Sequence, residues 1–292
     1  MKEIHYEKSL KTAILLTFLF FIAEVIGGFI SGSLSLLGDA GHMLRDVIAL
    51  IISLSAVKIS NRLPSKRKTF GYHRIEIFAA FLNGFFLIAI GLWILWEAFH
   101  RISSPQPIKS IPMLIVALIG LGVNIYIAFK LHGSKDINIK SAFFHVLTDA
   151  AFSLAVIAAA ILIHLTGNTI FDPILSSVIS VVIIISAVKI IKDSVLILLE
   201  FVPADIDFDE VVQDIQKVEG VQGVHHVHLW TLCSNINVID AHIYTQVDLL
   251  SEIEKIKKEI KTRLEKYNIK HTTLEFECEE CILPDKISKM EH

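Results

Sequence analysis

The chain has 292 residues, of which 53% are hydrophobic and 20% charged. That balance excludes a disordered protein, a disulfide-stapled mini-protein and an ordinary soluble enzyme. The net charge of -3 conceals a split: residues 1–202 carry 17 Lys and Arg against 12 Asp and Glu, and residues 203–292 carry 10 against 18. The first part reads as membrane-embedded and the second as a small acidic soluble domain. Basic residues do not cluster with aromatics in the acidic part, so no nucleic-acid partner is expected.

A helix needs ~20 mostly apolar residues to cross the hydrocarbon core. Six stretches qualify, at about residues 12–30, 34–59, 75–97, 111–131, 141–165 and 173–191. Pro64, Pro105, Pro107 and Pro203 fall between them, while Pro112 and Pro173 sit in first turns, where a missing N–H costs nothing. No small-residue cleavage site follows the first stretch, which therefore reads as a span and not as a leader. Fourteen Lys and Arg flank one side, from Lys2 to Lys192, and only Arg101 and Lys109 flank the other. Both termini and the acidic domain are thus expected in the cytoplasm.

After Pro203 the periodicity changes. Residues 207–218 pattern as an amphipathic helix ended by Gly220, 224–232 as a strand, and Ser234-Asn235 as a turn. A second strand at 237–245, a helix at 249–267 and a third strand at 271–278 complete an αββαβ order. This implies a small α+β domain with helices on one face of a sheet. From about Pro284 the apolar pattern stops and the chain is expected to fray. All three cysteines, Cys233, Cys278 and Cys281, lie in this domain. In a reducing cytosol they are free thiols or metal ligands.

Ionisable groups inside spans are costly, so they are functional candidates. The second span holds His42-x-x-x-Asp46 and the fifth His145-x-x-x-Asp149. At i,i+4 both side chains of a pair share a helix face. Two such helices offer two imidazoles and two carboxylates, a tetrahedral set that suits zinc. At about 1.5 Å per residue, Asp46 lies ~18 Å below the outer end of its span and Asp149 ~12 Å above the inner end of its own, one level in a core about 30 Å thick. The alternatives are polar contacts that only hold helices together and a proton path without metal. Asp39, on the face of His42, either lines the outer mouth of such a site or hydrogen-bonds across helices. Arg45 is permanently charged and either pairs with a carboxylate such as Glu24 or Asp39 or reaches a water-filled cavity. Glu24, Asn83, Glu97 and Asn124 read as interhelical glue or end-of-span charges.

The run from Ser33 through Asp39, His42 and Arg45 to Asp46 resembles the second span of cation diffusion facilitators. Phe144-His145 through Thr148-Asp149 is similar to their fifth span. Thr69 to Glu76, with Gly71, His73 and Arg74, resembles the segment leading into their third, and Asp172-Pro173 the start of their sixth. Val224-His225-His226-Val227-His228-Leu229-Trp230 resembles their cytosolic domain. The likeness covers residues 10–280 in order and is closest to the bacterial zinc/cadmium/cobalt exporters and the eukaryotic zinc transporters of that type.

The resemblance implies a homodimer in the lipid bilayer, with a six-span α-helical bundle (1–202) and a ferredoxin-like, metallochaperone-like cytosolic domain (203–292). It implies export of Zn2+, with Cd2+ or Co2+ as further cargo, in exchange for protons. It carries over His42, Asp46, His145 and Asp149 as the transport site, and His in the first ligand position goes with zinc preference. In the cytosolic domain it points to His225 and His242 as ligands, with Glu277, Cys278 and Cys281 in the region where relatives use His, Asp or Glu. His226 and His228 alternate with apolar residues and are expected to face solvent. Position 45 is usually Ser or Thr in this family, and here it is Arg. The segment between the second and third spans is basic, from Lys66 to Lys68, with only His73, so no strong metal site is expected there. A membrane sensor that binds zinc without moving it would show the same ligands. A zinc hydrolase is disfavoured, since all four ligands are spent on metal and no His-Glu-x-x-His occurs.

Overall fold

A computed structural model describes residues 2–60, 66–131, 137–233 and 236–279. Six long helices come first: α1 (Lys2–Ser31), α2 (Leu34–Ser60), α3 (His73–Ser103), α4 (Ser110–Leu131), α5 (Ile137–Thr166) and α6 (Phe171–Leu198). Within the described residues, four stretches (in α3, α4, α5 and α6) are long and apolar enough to cross a membrane, and Leu15–Ser31 in α1 is a shorter apolar stretch. The helices outrun the apolar runs that predict them. α3 continues to Ser103 and α6 to Leu198, because charged side chains at a span's end interrupt hydropathy without interrupting a helix.

By internal packing the chain divides into two compact units, residues 1–55 with 80–191 and residues 56–79 with 192–292. In the first unit, Leu36 of α2 is buried with Met113 and Ala117 of α4 and Val156, Ala160 and Ile163 of α5. Leu87 of α3 is buried with Ile179, Ile183 and Ala187 of α6. Small residues let these helices close up, as is usual where apolar burial against lipid gains nothing. A Cβ on Gly120 of α4 would stand 2.0 Å from Phe20 of α1, and one on Gly91 of α3 would stand 2.7 Å from Ile184 of α6. Asn124 donates to Ser153 Oγ at 3.5 Å, joining α4 to α5 as interhelical glue.

One end of this unit is laced together. The α1–α2 connector turns at Gly32, where φ is +74°. Ser31 O accepts from the N–H of Lys109 at 2.8 Å, and Gly32 O accepts from Arg101. Asp172, in the first turn of α6 and fully buried, accepts from the Ser33 and Ser35 hydroxyls, both at 2.6 Å, and from the N–H groups of Leu34 at 2.8 Å and Ser35 at 3.1 Å. A carboxylate there satisfies the orphan donors at the start of α2 and opposes the positive end of its dipole. It fixes the height of α2, and His42 lies about 12 Å further along it.

In the second unit α7 (Phe208–Gln216), β1 (Gly223–Cys233), β2 (Ile236–Tyr244), α8 (Leu250–Leu264), a 3-10 turn (Glu265–Tyr267) and β3 (Ile269–Glu277) give the expected αββαβ order. The sheet order is β1-β2-β3, with β1 antiparallel and β3 parallel to β2. Asp207 caps α7 by accepting from the N–H groups of Asp209 and Glu210. Val211, Val212 and Ile215 of α7 and Ile256, Ile260 and Leu264 of α8 pack on Val227, Leu229, Ile239 and Ile243 of the sheet. Gly220 lies past the end of α7 at φ +92°, where a Cβ would meet Ile256 at 2.7 Å. The segment leading into α3 belongs to this unit. The Phe70 ring meets His271 edge-on at 5.6 Å, and His73 Nδ1 lies 3.5 Å from Cys233 Sγ. The Ser234-Asn235 turn and the stretch from Pro284 lie outside the described residues.

Candidate metal sites

In the first unit, α2 and α5 bring His42 and Asp149 together. His42 Nε2 lies 3.5 Å from Asp149 Oδ1, with both side chains largely buried. The Phe152 ring meets the His42 ring edge-on at 5.4 Å, setting its plane from one turn further along α5. Asp46 and His145 lie on the same two helices, four residues from these partners, but their side chains are outside the described ones. Asp39 is 3% exposed and Glu24, on α1, is fully buried. Their carboxyl groups lie side by side, and Asp39 also neighbours His42 and Asp149. Arg45 is half-buried and engaged with its surroundings. These residues thus form a buried, acid-rich cluster around one imidazole pairing, suited to a cation and not to an anion.

The second cluster sits on the sheet. His225, His226 and His242 each offer a ring nitrogen, and the three lie within 4.8 Å of one another. Glu277, at the end of β3, reaches both outer imidazoles, with Oε2 3.0 Å from His225 Nε2 and Oε1 hydrogen-bonded to His242 Nδ1 at 2.6 Å. Glu275 Oε2 lies 3.6 Å from His242 Nε2. Of the expected ligands, the fold therefore gathers His225, His242 and Glu277. Cys278 is exposed and is not in the three-imidazole cluster found among the described residues, and Cys281 lies outside those residues.

His226 is the addition, and backbone geometry explains it. Neighbours on a strand point to opposite faces, so His225 and His226 should diverge. Between the paired positions His225↔His242 and His228↔Asp240 the register slips, and two residues of β1 face the single Ala241. This is a β-bulge, with His226 at a left-handed φ of 50°. It turns two successive imidazoles to one side, with ring centroids 5.0 Å apart. The signal was present in sequence. Val224 and Val227 are both core residues, yet they are three apart, an odd spacing that an unbroken strand cannot bury on one face.

The remaining cysteine is not poised for ligation. Burial pushes the Cys233 thiol up, the Glu76 carboxylate adds to this, and Lys270 opposes it. A thiol held protonated is a poor metal ligand.

Two family models match, in chain order. The one for the cation efflux transmembrane domain covers residues 10–199, and the one for the cation efflux protein cytoplasmic domain covers residues 203–279. The chain is a cation diffusion facilitator. This facilitator is 41% identical over 283 residues to the zinc transporter ZitB of Yersinia pestis, covering 95% of this chain and 90% of the relative. It is 38% identical over 284 residues to the cadmium, cobalt and zinc/H(+)-K(+) antiporter of Bacillus subtilis strain 168, covering 94% and 91%. It is also 38% identical over 277 residues to the metal cation efflux system protein CzcD of Cupriavidus metallidurans, covering 94% and 88%. The facilitator is a multi-pass membrane protein of the metal-efflux kind, a transporter and not an enzyme.

Proposed function

We propose that this facilitator exports Zn2+ from the cytoplasm in exchange for protons, with Cd2+ and Co2+ as further cargo, through a site of His42, Asp46, His145 and Asp149. The observation that carries this reading is the buried pairing of His42 with Asp149 at 3.5 Å across α2 and α5. The names of the relatives, a zinc transporter and a cadmium, cobalt and zinc/H(+)-K(+) antiporter, support the choice of cargo. Zinc needs neutral imidazole, so metal and proton compete for the same nitrogens. Facing the cytoplasm near neutral pH, zinc displaces protons from His42 and His145. Facing outward, protons return and zinc leaves. A rearrangement of the helix bundle exposes the site alternately. Asp39 and Arg45 are accessory: Asp39 adds negative charge beside the site, and the fixed charge of Arg45 discourages a second cation nearby.

Both termini lie in the cytoplasm, and the chain divides functionally at 202/203. Two copies pair, and the acidic domain of each holds a regulatory zinc with His225, His226, His242 and Glu277. Cys278 and Cys281 are further candidate thiolate donors to that ion. Zinc flux into proteoliposomes under an imposed pH gradient tests the central claim. Asp149→Ala should reduce flux by more than about 100-fold, the upper range seen on removing groups that merely orient metal ligands. Preserved flux with unchanged pH dependence would sink the assignment. Tight zinc binding without flux in the parent protein would mark a sensor instead.

A further inference from the structure

Lys68, the last residue of the basic run that neither metal site uses, borders a cavity of about 440 Å³ inside the second unit. Its walls are the segment leading into α3, Glu200 just past α6, and Trp230 and Leu232 of β1. Lys68 is exposed, donates to the Tyr72 hydroxyl and holds its ammonium 3.8 Å over the Tyr72 ring. Arg74 is paired with Glu200, the one carboxylate in the lining. No carboxylate partner of Lys68 is found among the described residues, so positive charge is in surplus at the mouth.

We infer that this cavity seats the phosphodiester headgroup of an anionic membrane phospholipid. Its volume falls in the range of about 300–1,000 Å³ typical of small-molecule sites. Its lining is chiefly apolar, with Lys68 and the Glu200-paired Arg74 beside Tyr72 and Trp230, amphipathic rings of the kind that settle at headgroup level. Its rim is continuous with two membrane helices, since α3 begins at His73 and α6 ends at Leu198. Beside it Ile75, Phe78 and Leu199 expose about half or more of their surface, giving acyl chains an apolar path away from the headgroup. A basic pocket next to spanning helices suits a phosphate tethered to lipid better than one free in water. The bound lipid would tie the start of α3 to the sheet domain.

The test uses the full chain in mild detergent, analysed by native mass spectrometry with equal concentrations of dioleoylphosphatidylglycerol and dioleoylphosphatidylcholine. The glycerol lipid should be retained about fivefold more, the effect of one basic side chain near an anionic headgroup. Lys68→Gln should abolish that preference and Lys68→Arg should keep it. Equal retention of both lipids, or an unchanged preference in Lys68→Gln, overturns the proposal and leaves the basic run as a topology signal only. Displacement of the lipid by equimolar inorganic phosphate overturns it too, assigning the cavity to a free anion.

Discussion

His226 holds a left-handed backbone that costs an L-residue about 1–2 kcal/mol, and it does so inside a strand. The return is a third imidazole beside His225 and His242. Asp214 shows the opposite economy, a half-buried residue made strong by its partners. The Lys266 ammonium, then the Tyr267 hydroxyl and Lys217, hold its carboxyl well below the usual carboxylate range. A depressed carboxylate favours the fold above its ordinary value of 3.8 and loses that contribution as pH falls through the folded value. Asp214→Asn should therefore lower the stability of the domain at neutral pH, and the deficit should shrink below about pH 4. Urea unfolding at a series of pH values reads this directly, and a deficit constant with pH would contradict it. His42 and Asp149 stand out in the sequence because a repeated i,i+4 pair inside an apolar helix is rare. Strand alternation predicts His226 toward solvent only when it is carried through the point where the chain breaks it.

Helices and strands were legible for different reasons. Among the described residues, four spans declare themselves by length and apolarity, and helix continues past an apolar stretch where charged side chains ride on it. The strands of the sheet domain were found by alternation, which fixes faces but not register. The slip in β1 turns this into a test. Removing one residue from a strand normally flips every later side chain to the wrong face. Deleting His226 should instead merge His225 with Val227 and restore an unbroken ladder opposite His242, Ala241 and Asp240. The deletion variant should fold with a thermal midpoint within a few degrees of the parent, while zinc-dependent stabilisation of the sheet domain drops. Collapse of the fold on deletion would show that the bulge is structural. The Asp172 contacts at the start of α2 were legible only as a resemblance at Asp172-Pro173, since nothing local links residue 172 to residues 33–35.

For the whole molecule, the charge split marks off an apolar, net-basic part of the chain from an acidic one in the sequence alone. What it cannot show is that residues 56–79 pack with residues 192–292, because those contacts join positions more than a hundred residues apart. The sheet domain is therefore not a contiguous piece of chain. A fragment starting at residue 203 lacks Phe70 and His73, and so strips the ring contact from His271, uncovers Cys233 and opens the wall beside Trp230 and Leu232. Such a fragment should self-associate through that bared apolar face, and light scattering on it alone, and again after adding a peptide spanning residues 66–79, would show whether the peptide disperses it. Zinc affinities and dimer strengths measured on the excised domain would then belong to a surface that the intact transporter never presents.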